Sequence, residues 1–224
     1  MITSRSNERL ILVRKLRRRK QRDETGLFVV EGEDLVDAAA AAGIEPVHEL
    51  VAGENILPEV LASVSSLPHA ARRLAVYRRD ALPQAQRDVC LALWRVADPG
   101  NVGTLIRTAD AFGASVALSD GCADPTGPKA VRASAGAIFR VPLLEWEQAP
   151  GARVALMAHG GEPLHEVDVE PPFTLLLGSE REGLPGGLVA DVHKATIPLR
   201  PEAESLNVAV AGAIALYELS RRSR

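Results

Sequence analysis

Asp98-Pro99-Gly100-Asn101-Val102-Gly103-Thr104-Leu105-Ile106-Arg107-Thr108-Ala109-Asp110-Ala111-Phe112-Gly113 is the stretch around which the chain is organised. An apolar run, Val89 to Trp94, precedes it and reads as a buried strand. Pro99 and Gly100 turn the chain, and Asn101 is the expected N-cap of the next element. Val102, Leu105, Ile106, Ala109 and Phe112 recur at helical spacing, and Gly113 is the expected stop. Arg107 falls off that apolar stripe. A strand, a polar turn and a capped helix with an arginine on its free face suit chemistry at a sheet edge. A solvated arginine is the plainer reading, so the weight of this one depends on the rest of the chain.

The 224 residues hold enough apolar material for one large domain or two small ones. Aromatics make up only 4%, which leaves the core to Leu, Val, Ile and Ala. No apolar run approaches the roughly 20 residues that span a bilayer, and charges interrupt the N-terminus where a secretory leader would be apolar. Cys90 and Cys122 form no C-x-x-C pair, so a reducing cytoplasm is the expected location. The net charge of −3 conceals an asymmetry. Residues 1–22 carry nine Lys or Arg against one Glu, leaving 17 basic and 28 acidic residues elsewhere. Leu10, Val13 and Leu16 predict one helix there, and Arg14, Lys15, Arg17, Arg18, Arg19, Lys20 and Arg22 make it a candidate phosphate-binding arm. The plainer alternative is a basic, solvated first helix.

Further along, residues 26–32 read as a short strand, 34–42 as a helix, 47–51 and 73–77 as strands, and 58–64 as a helix between them. This predicts a small α/β domain over 1–80, a polar linker over 81–87 containing Pro83, and a second domain over 88–224. In the second domain strands are expected at 89–94, 115–118, 139–144, 153–158, 173–177 and 195–197. Helices are expected at 101–112, 129–137, 188–192 and from about 207 to 221. Such alternation predicts a mostly parallel sheet with helices on both faces.

Several chemistries find no support. No G-x-G-x-x-G opens a helix. The run 121–129 has the wrong spacing for a phosphate loop, and Pro128 removes a donor from it. The five histidines offer no metal-ligand pair, and no G-x-S-x-G elbow occurs. Three segments remain. Besides the opening stretch, Leu175–Pro185 runs a buried strand into the turn Gly178-Ser179-Glu180-Arg181-Glu182-Gly183, where bare backbone can approach a ligand. Ile197–Val208 carries a strand end, a polar loop and a helix start capped by Ser205 or Asn207. In a parallel sheet all three loops fall at the carboxyl edge, where such folds bind ligands. Singly, the glycines need only serve turns and the polar residues only caps.

Together these segments resemble the three motifs of the SpoU (TrmH-like) RNA ribose 2′-O-methyltransferases of the SPOUT class. The resemblance runs almost continuously over 88–220, including Ala123-Asp124-Pro125 and Lys129–Ala137. Residues 9–80, with Phe28-Val29-Val30-Glu31-Gly32, resemble more loosely the N-terminal substrate-binding domain of the ribosomal RNA branch. The resemblance implies a deep trefoil knot, which general fold rules disfavour, together with a homodimer through the knotted domain. It implies S-adenosyl-L-methionine as cofactor, held by Leu177, Gly178, Gly183, Ile197 and Leu206, largely through backbone. Arg107 aligns with the family's catalytic arginine, and Asn101, Glu180, Ser205 and Asn207 fill its other polar positions. Lys129 and Arg132 join the basic arm as expected RNA contacts. Arg200-Pro201-Glu202 departs from the small residues of many relatives, which bears on the shape of that loop.

The implied activity is 2′-O-methylation of large-subunit ribosomal RNA. A tRNA ribose methyltransferase and a non-catalytic RNA-binding or ribosome-assembly protein stay open as alternatives. Guanidinium normally keeps its proton, so Arg107 is expected to clamp a phosphate and stabilise the emerging alkoxide, with direct proton abstraction as the other option.

Overall fold

The computed structural model describes residues 1–222; positions 223 and 224 of the expected second domain lie outside it. The N-terminal unit runs α1 (Glu8–Lys15), α2 (Arg19–Thr25), β1 (Leu27–Glu31), α3 (Glu33–Ala41), β2 (His48–Val51), α4 (Pro58–Ala62) and β3 (Arg73–Arg78). The basic arm is therefore two helices, not the single one its periodicity predicts. Leu16 ends α1, Arg18 is extended, and Gly26 closes α2 in the left-handed region. The strands form an antiparallel sheet in the order β1-β3-β2.

Alternation along these strands feeds two cores. Leu74 and Val76 face Leu10, Val13, Leu16 and Val60 beneath α1 and α4. Phe28, Val30, Ala75 and Tyr77 face the other way, into a cluster that continues without a break into the C-terminal unit. Phe139 of that unit stacks 6.4 Å from Phe28 and 5.4 Å from Tyr77, ring centre to ring centre. Fully buried phenylalanines contribute about 1.5–3 kcal/mol each, so this junction is a shared core.

Residues 88–222 continue with β4 (Val89–Leu93), α5 (Pro99–Phe112), β5 (Ser115–Leu118), α6 (Pro128–Ala133), β6 (Leu143–Glu145), β7 (Ala152–Met157), β8 (Glu162–Pro163), β9 (Phe173–Leu177), β10 (His193–Thr196) and α7 (Val208–Arg222). Every pairing in the seven-stranded sheet is parallel, in the order β6-β5-β4-β9-β7-β10-β8. One face packs on α5 and α7 through Leu91, Leu93, Leu175 and Leu177. The opposite face carries Cys90, Ala92, Ala117 and Ala155 with Leu144 and Leu176, and is covered by Trp146, Leu184 and Val189. There the 3-10 turns Trp146–Gln148 and Gly186–Leu188 stand where a second layer of α-helix was expected. The strand expected over 139–144 begins only at Leu143, because Ala137–Phe139 forms a 3-10 turn that delivers Phe139 to the shared core.

Candidate active site

Asp98 caps α5, a role expected of Asn101. Its Oδ1 accepts from the backbone N–H groups of Gly100 at 2.7 Å and Asn101 at 3.1 Å, while Pro99 sits in the first turn, where a missing N–H costs nothing. The other carboxylate oxygen accepts from Lys129 Nζ at 2.8 Å. That hydrogen bond first, and the backbone donors with it, holds the Asp98 carboxyl below its ordinary range. With the cap supplied three residues earlier, the Asn101 amide is free to reach across the sheet edge.

It reaches Glu180. Asn101 Nδ2 donates to Glu180 Oε1 at 2.9 Å, and Asn207 Nδ2 donates to Asn101 Oδ1 at 3.1 Å. Asn207 Oδ1 in turn accepts from the backbone N–H of Ala209 and Val210 at the start of α7. A carboxylate only accepts and helix N–H groups only donate, so both amide orientations in this chain are fixed. Burial raises the Glu180 carboxyl, but hydrogen bonds from Asn101 and from backbone N–H groups, including those of Ala97 and Asp98, outweigh it and hold the group below its ordinary range. Glu180 is thus an ionised anchor at neutral pH. Residues 79 and 106 positions apart in sequence tie the three carboxyl-edge loops into one unit.

Glycines set how closely those loops approach. A Cβ at Gly178 would lie 2.3 Å from the carbonyl carbon of Gly183 and 2.5 Å from the nitrogen of Leu184. Ser179 and Gly183 close the turn with reciprocal backbone hydrogen bonds, and Gly183 has φ +66°. A Cβ at Gly103 would meet the Ala130 carbonyl at 2.4 Å, and one at Gly212 would meet Leu105 and Leu177 within 2.7 Å. These contacts seat α6 and α7 directly on α5, with Asn207 beside Asn101.

Other expected site residues fall around this framework. Leu177 is buried under Gly212, and Ile197 packs partly buried on the main core. Ser205 and Leu206 are exposed in the loop ahead of α7, with 37% of Leu206 showing. Arg107 projects from α5 into solvent and has no hydrogen-bond or ion-pair partner among the described residues. Six residues beyond Asn101, it stands about 9 Å along the helix and roughly 120° round it. The polar chain and Arg107 therefore occupy different sectors of one helix.

The arm divides sharply. Lys15, Arg18 and Lys20 are exposed, Arg14 donates to the carbonyl of Arg5, and Arg17 is engaged with the carbonyls of Val64 and Ser65. Arg19 remains exposed while donating to the Cys122 carbonyl at 3.2 Å. Arg22 corrects the sequence reading: it is 4% exposed and paired with Asp124 at 2.7 Å, with its remaining donors on the carbonyls of Leu16 and Arg17. No phosphate can reach it. Arg79, which sequence reasoning passed over, binds the same Asp124 oxygen at 3.0 Å and also Asp23 and Thr126. Lys129 is exposed yet paired with Asp98, and Arg132 donates to Ser66 Oγ across the junction.

The site lies on a parallel sheet, at the carboxyl edge where such folds bind ligands. The SpoU rRNA Methylase family model matches residues 88–217, and the MRM3-like substrate binding domain model matches 7–82. The chain belongs to the SpoU rRNA methylase family. It is 32% identical to the 23S rRNA (guanosine(2553)-2′-O)-methyltransferase RlmP of Bacillus subtilis, over 97% of this chain and 98% of the relative. The AdoMet-bound rRNA methyltransferase of Sinorhizobium meliloti superposes with a TM-score of 0.87 at 31% identity, covering 99% of this chain and 97% of that one. The SpoU methyltransferase AviRb of Streptomyces viridochromogenes, solved with AdoMet, gives a TM-score of 0.84 at 26% identity, covering 96% and 98%.

Proposed function

We propose that this chain methylates a ribose 2′-hydroxyl of large-subunit ribosomal RNA, using S-adenosyl-L-methionine. The observation that carries the reading is the Glu180–Asn101–Asn207 chain, which holds the loops after β4, β9 and β10 in fixed relation. The residues fit the cofactor. Gly178 presents bare backbone in a turn too tight for any side chain, and Leu206 offers exposed apolar surface for a flat ring. Gly178, Gly183, Ile197 and Leu206 would hold it, with Leu177 supporting them from beneath. When bound, S-adenosylmethionine supplies an electrophilic methyl group carried on a sulfonium.

The chain's own residues then have separable tasks. Arg107, exposed and unengaged, grips a backbone phosphate next to the target ribose and stabilises negative charge developing on its 2′-oxygen as the hydroxyl proton passes to solvent water. Asn101, Glu180 and Asn207 hold that helix and the cofactor loops at constant separation, and fixed geometry of this kind is worth several kcal/mol of barrier. Ser205, exposed two residues before Asn207, offers a hydroxyl to the RNA. Lys15, Arg18, Arg19 and Lys20 attract the RNA through phosphates and read no bases.

Three structural features accompany the reading. Residues 1–80 form the substrate-binding domain, joined by 81–87 to the methyltransferase domain. A trefoil knot is supported by the path of the chain: β9 enters between β4 and β7, β10 leaves beyond β7, and α7 returns to pack on α5 and β9. A homodimer through the knotted domain is supported by Val210, Ile214 and Tyr217, which are 49%, 41% and 55% exposed and share one face of α7. Among the described residues no helix is long and apolar enough to cross a membrane, and both cysteines are buried free thiols, as in a cytoplasmic protein.

The test incubates the protein with ribosomal subunits or naked ribosomal RNA and methyl-labelled cofactor, then maps 2′-O-methylation. A single labelled ribose in large-subunit RNA is expected. No label in any RNA fraction contradicts the proposal.

A further inference from the structure

A second cleft of about 460 Å³ opens between the basic arm and the carboxyl ends of β5 and β6, a volume usual for ligand sites. Leu118, Leu143 and Leu144 supply its apolar walls, and Asp120 faces it from the turn after β5. Asp23 and Asp124, also on the wall, are already paired with arginines. The Asp120 carboxylate is exposed and has no partner among the described residues.

Two arginines frame the turn 119–122 at the rim. Arg19 comes from the arm and donates to the Cys122 carbonyl. Arg95 comes from the end of β4 and lies over Gly121, so closely that a Cβ there would stand 3.2 Å from its Nε. Arg95 is exposed, and its guanidinium has no hydrogen-bond or ion-pair partner among the described residues. Its backbone adopts φ +52°, a left-handed conformation that costs an ordinary residue energy. The hydrogen bond from its N–H to Ser119 Oγ, at 2.9 Å, holds it there. Gly121, at φ +88°, leaves room for the arginine stem. An unpaired cation held in a strained backbone, three residues before the cap of α5, lies between the arm and the methyl site.

We propose that this cleft is an RNA subsite for a nucleotide flanking the methylated one. Arg19 and Arg95 take its phosphate at the rim, and its base enters the cleft against Asp120. Charge sorts the two parts: an uncompensated carboxylate repels phosphate but accepts from the exocyclic amine that cytosine, adenine and guanine carry and uracil lacks. The inference rests on the RNA methyltransferase reading above and adds a place where base identity is sensed outside the catalytic loops.

The experiment measures binding of the full-length protein to a folded ribosomal RNA fragment at several salt concentrations, with cofactor affinity in parallel. Arg95→Gly is the chosen variant because glycine accepts φ +52° without strain. It is expected to melt no lower than the parent, bind cofactor equally, bind RNA about tenfold more weakly, and show a salt slope lower by about one. Asp120→Asn is expected to flatten about tenfold the preference among RNAs varied at one flanking nucleotide. An unchanged slope for Arg95→Gly, or a nucleotide preference untouched by Asp120→Asn, overturns the subsite even if the parent methylates RNA normally. A parent that binds RNA with these dependences but transfers no methyl group leaves the subsite standing and sinks the methyltransferase reading. A parent that binds no RNA sinks both.

Discussion

Asp124→Ala removes the anchor of the seam between the two units. The Asp124 side chain is 8% exposed and accepts from Arg22 Nε and Nη2 at 2.7 Å, Arg79 Nη2 at 3.0 Å, Thr126 N at 2.8 Å and Thr126 Oγ1 at 2.6 Å. Its loss strands the Arg22 guanidinium, 5% exposed, without a counter-charge. Breaking one side of a buried pair costs about 3–5 kcal/mol. For a chain of this length about 2–4 °C of melting temperature goes with each kcal/mol, so calorimetry should record a fall of roughly 6–20 °C. Replacing the pair together, Arg22→Met with Asp124→Leu, should restore part of it: the buried lone charge is gone, while the Leu16 and Arg17 carbonyls and the Thr126 N–H lose partners. The pH dependence has a definite sign. Burial raises the Asp124 carboxyl, but Thr126, Arg79 and Arg22 outweigh it and hold the group below its ordinary range. Its stabilisation is therefore present above the unfolded-state carboxylate pKa and fades as pH falls through the lower folded value. The gap between parent and Asp124→Ala should be widest near neutrality and narrow in acid. A fall of less than 2 °C, or a gap that widens in acid, refutes the reasoning.

Other consequences follow from the same geometry. Gly178→Ala places a methyl 2.3 Å from the Gly183 backbone; calorimetric cofactor affinity should drop at least tenfold while circular dichroism shows the fold retained. Replacing Lys15, Arg18 and Lys20 with alanine, all exposed, should lower the salt slope of RNA binding by about two to three without changing the melting temperature. Ile214→Glu puts a charge in the exposed stripe of α7; if the proposed homodimer forms through that face, sedimentation should report a dimer for the parent and a monomer for the variant.

How far the sequence revealed the molecule depended on the range of each interaction. The strands of the large sheet are legible because both faces are buried, so Val89–Leu93 reads as an unbroken apolar run and Phe173–Leu177 as one broken only at Thr174. Asn101 looked like a cap because it adjoins the first apolar residue of the stripe. Pro99 fixes the helix start two residues earlier, and the Asp-Pro pair was the signal available. The two-residue β8 is held by pairing with β10 and is too short to carry a pattern of its own. Arg22 could not be separated from its basic neighbours, since the partner that buries it lies 102 residues away. The three site loops were recognisable singly by glycine and cap chemistry, but only the fold discloses that Asn101, Glu180 and Asn207 satisfy one another.

Arg107 carries the central claim, and single-turnover methyl transfer to RNA with saturating cofactor tests it most directly. Arg107→Ala is predicted to bind cofactor within twofold of the parent while transferring methyl at least 100-fold more slowly, the scale on which a lost charge-stabilising donor is felt. Arg107→Lys should recover little, because a point charge does not replace a planar fork on phosphate. An Arg107→Ala enzyme that transfers methyl within threefold of the parental rate contradicts the account.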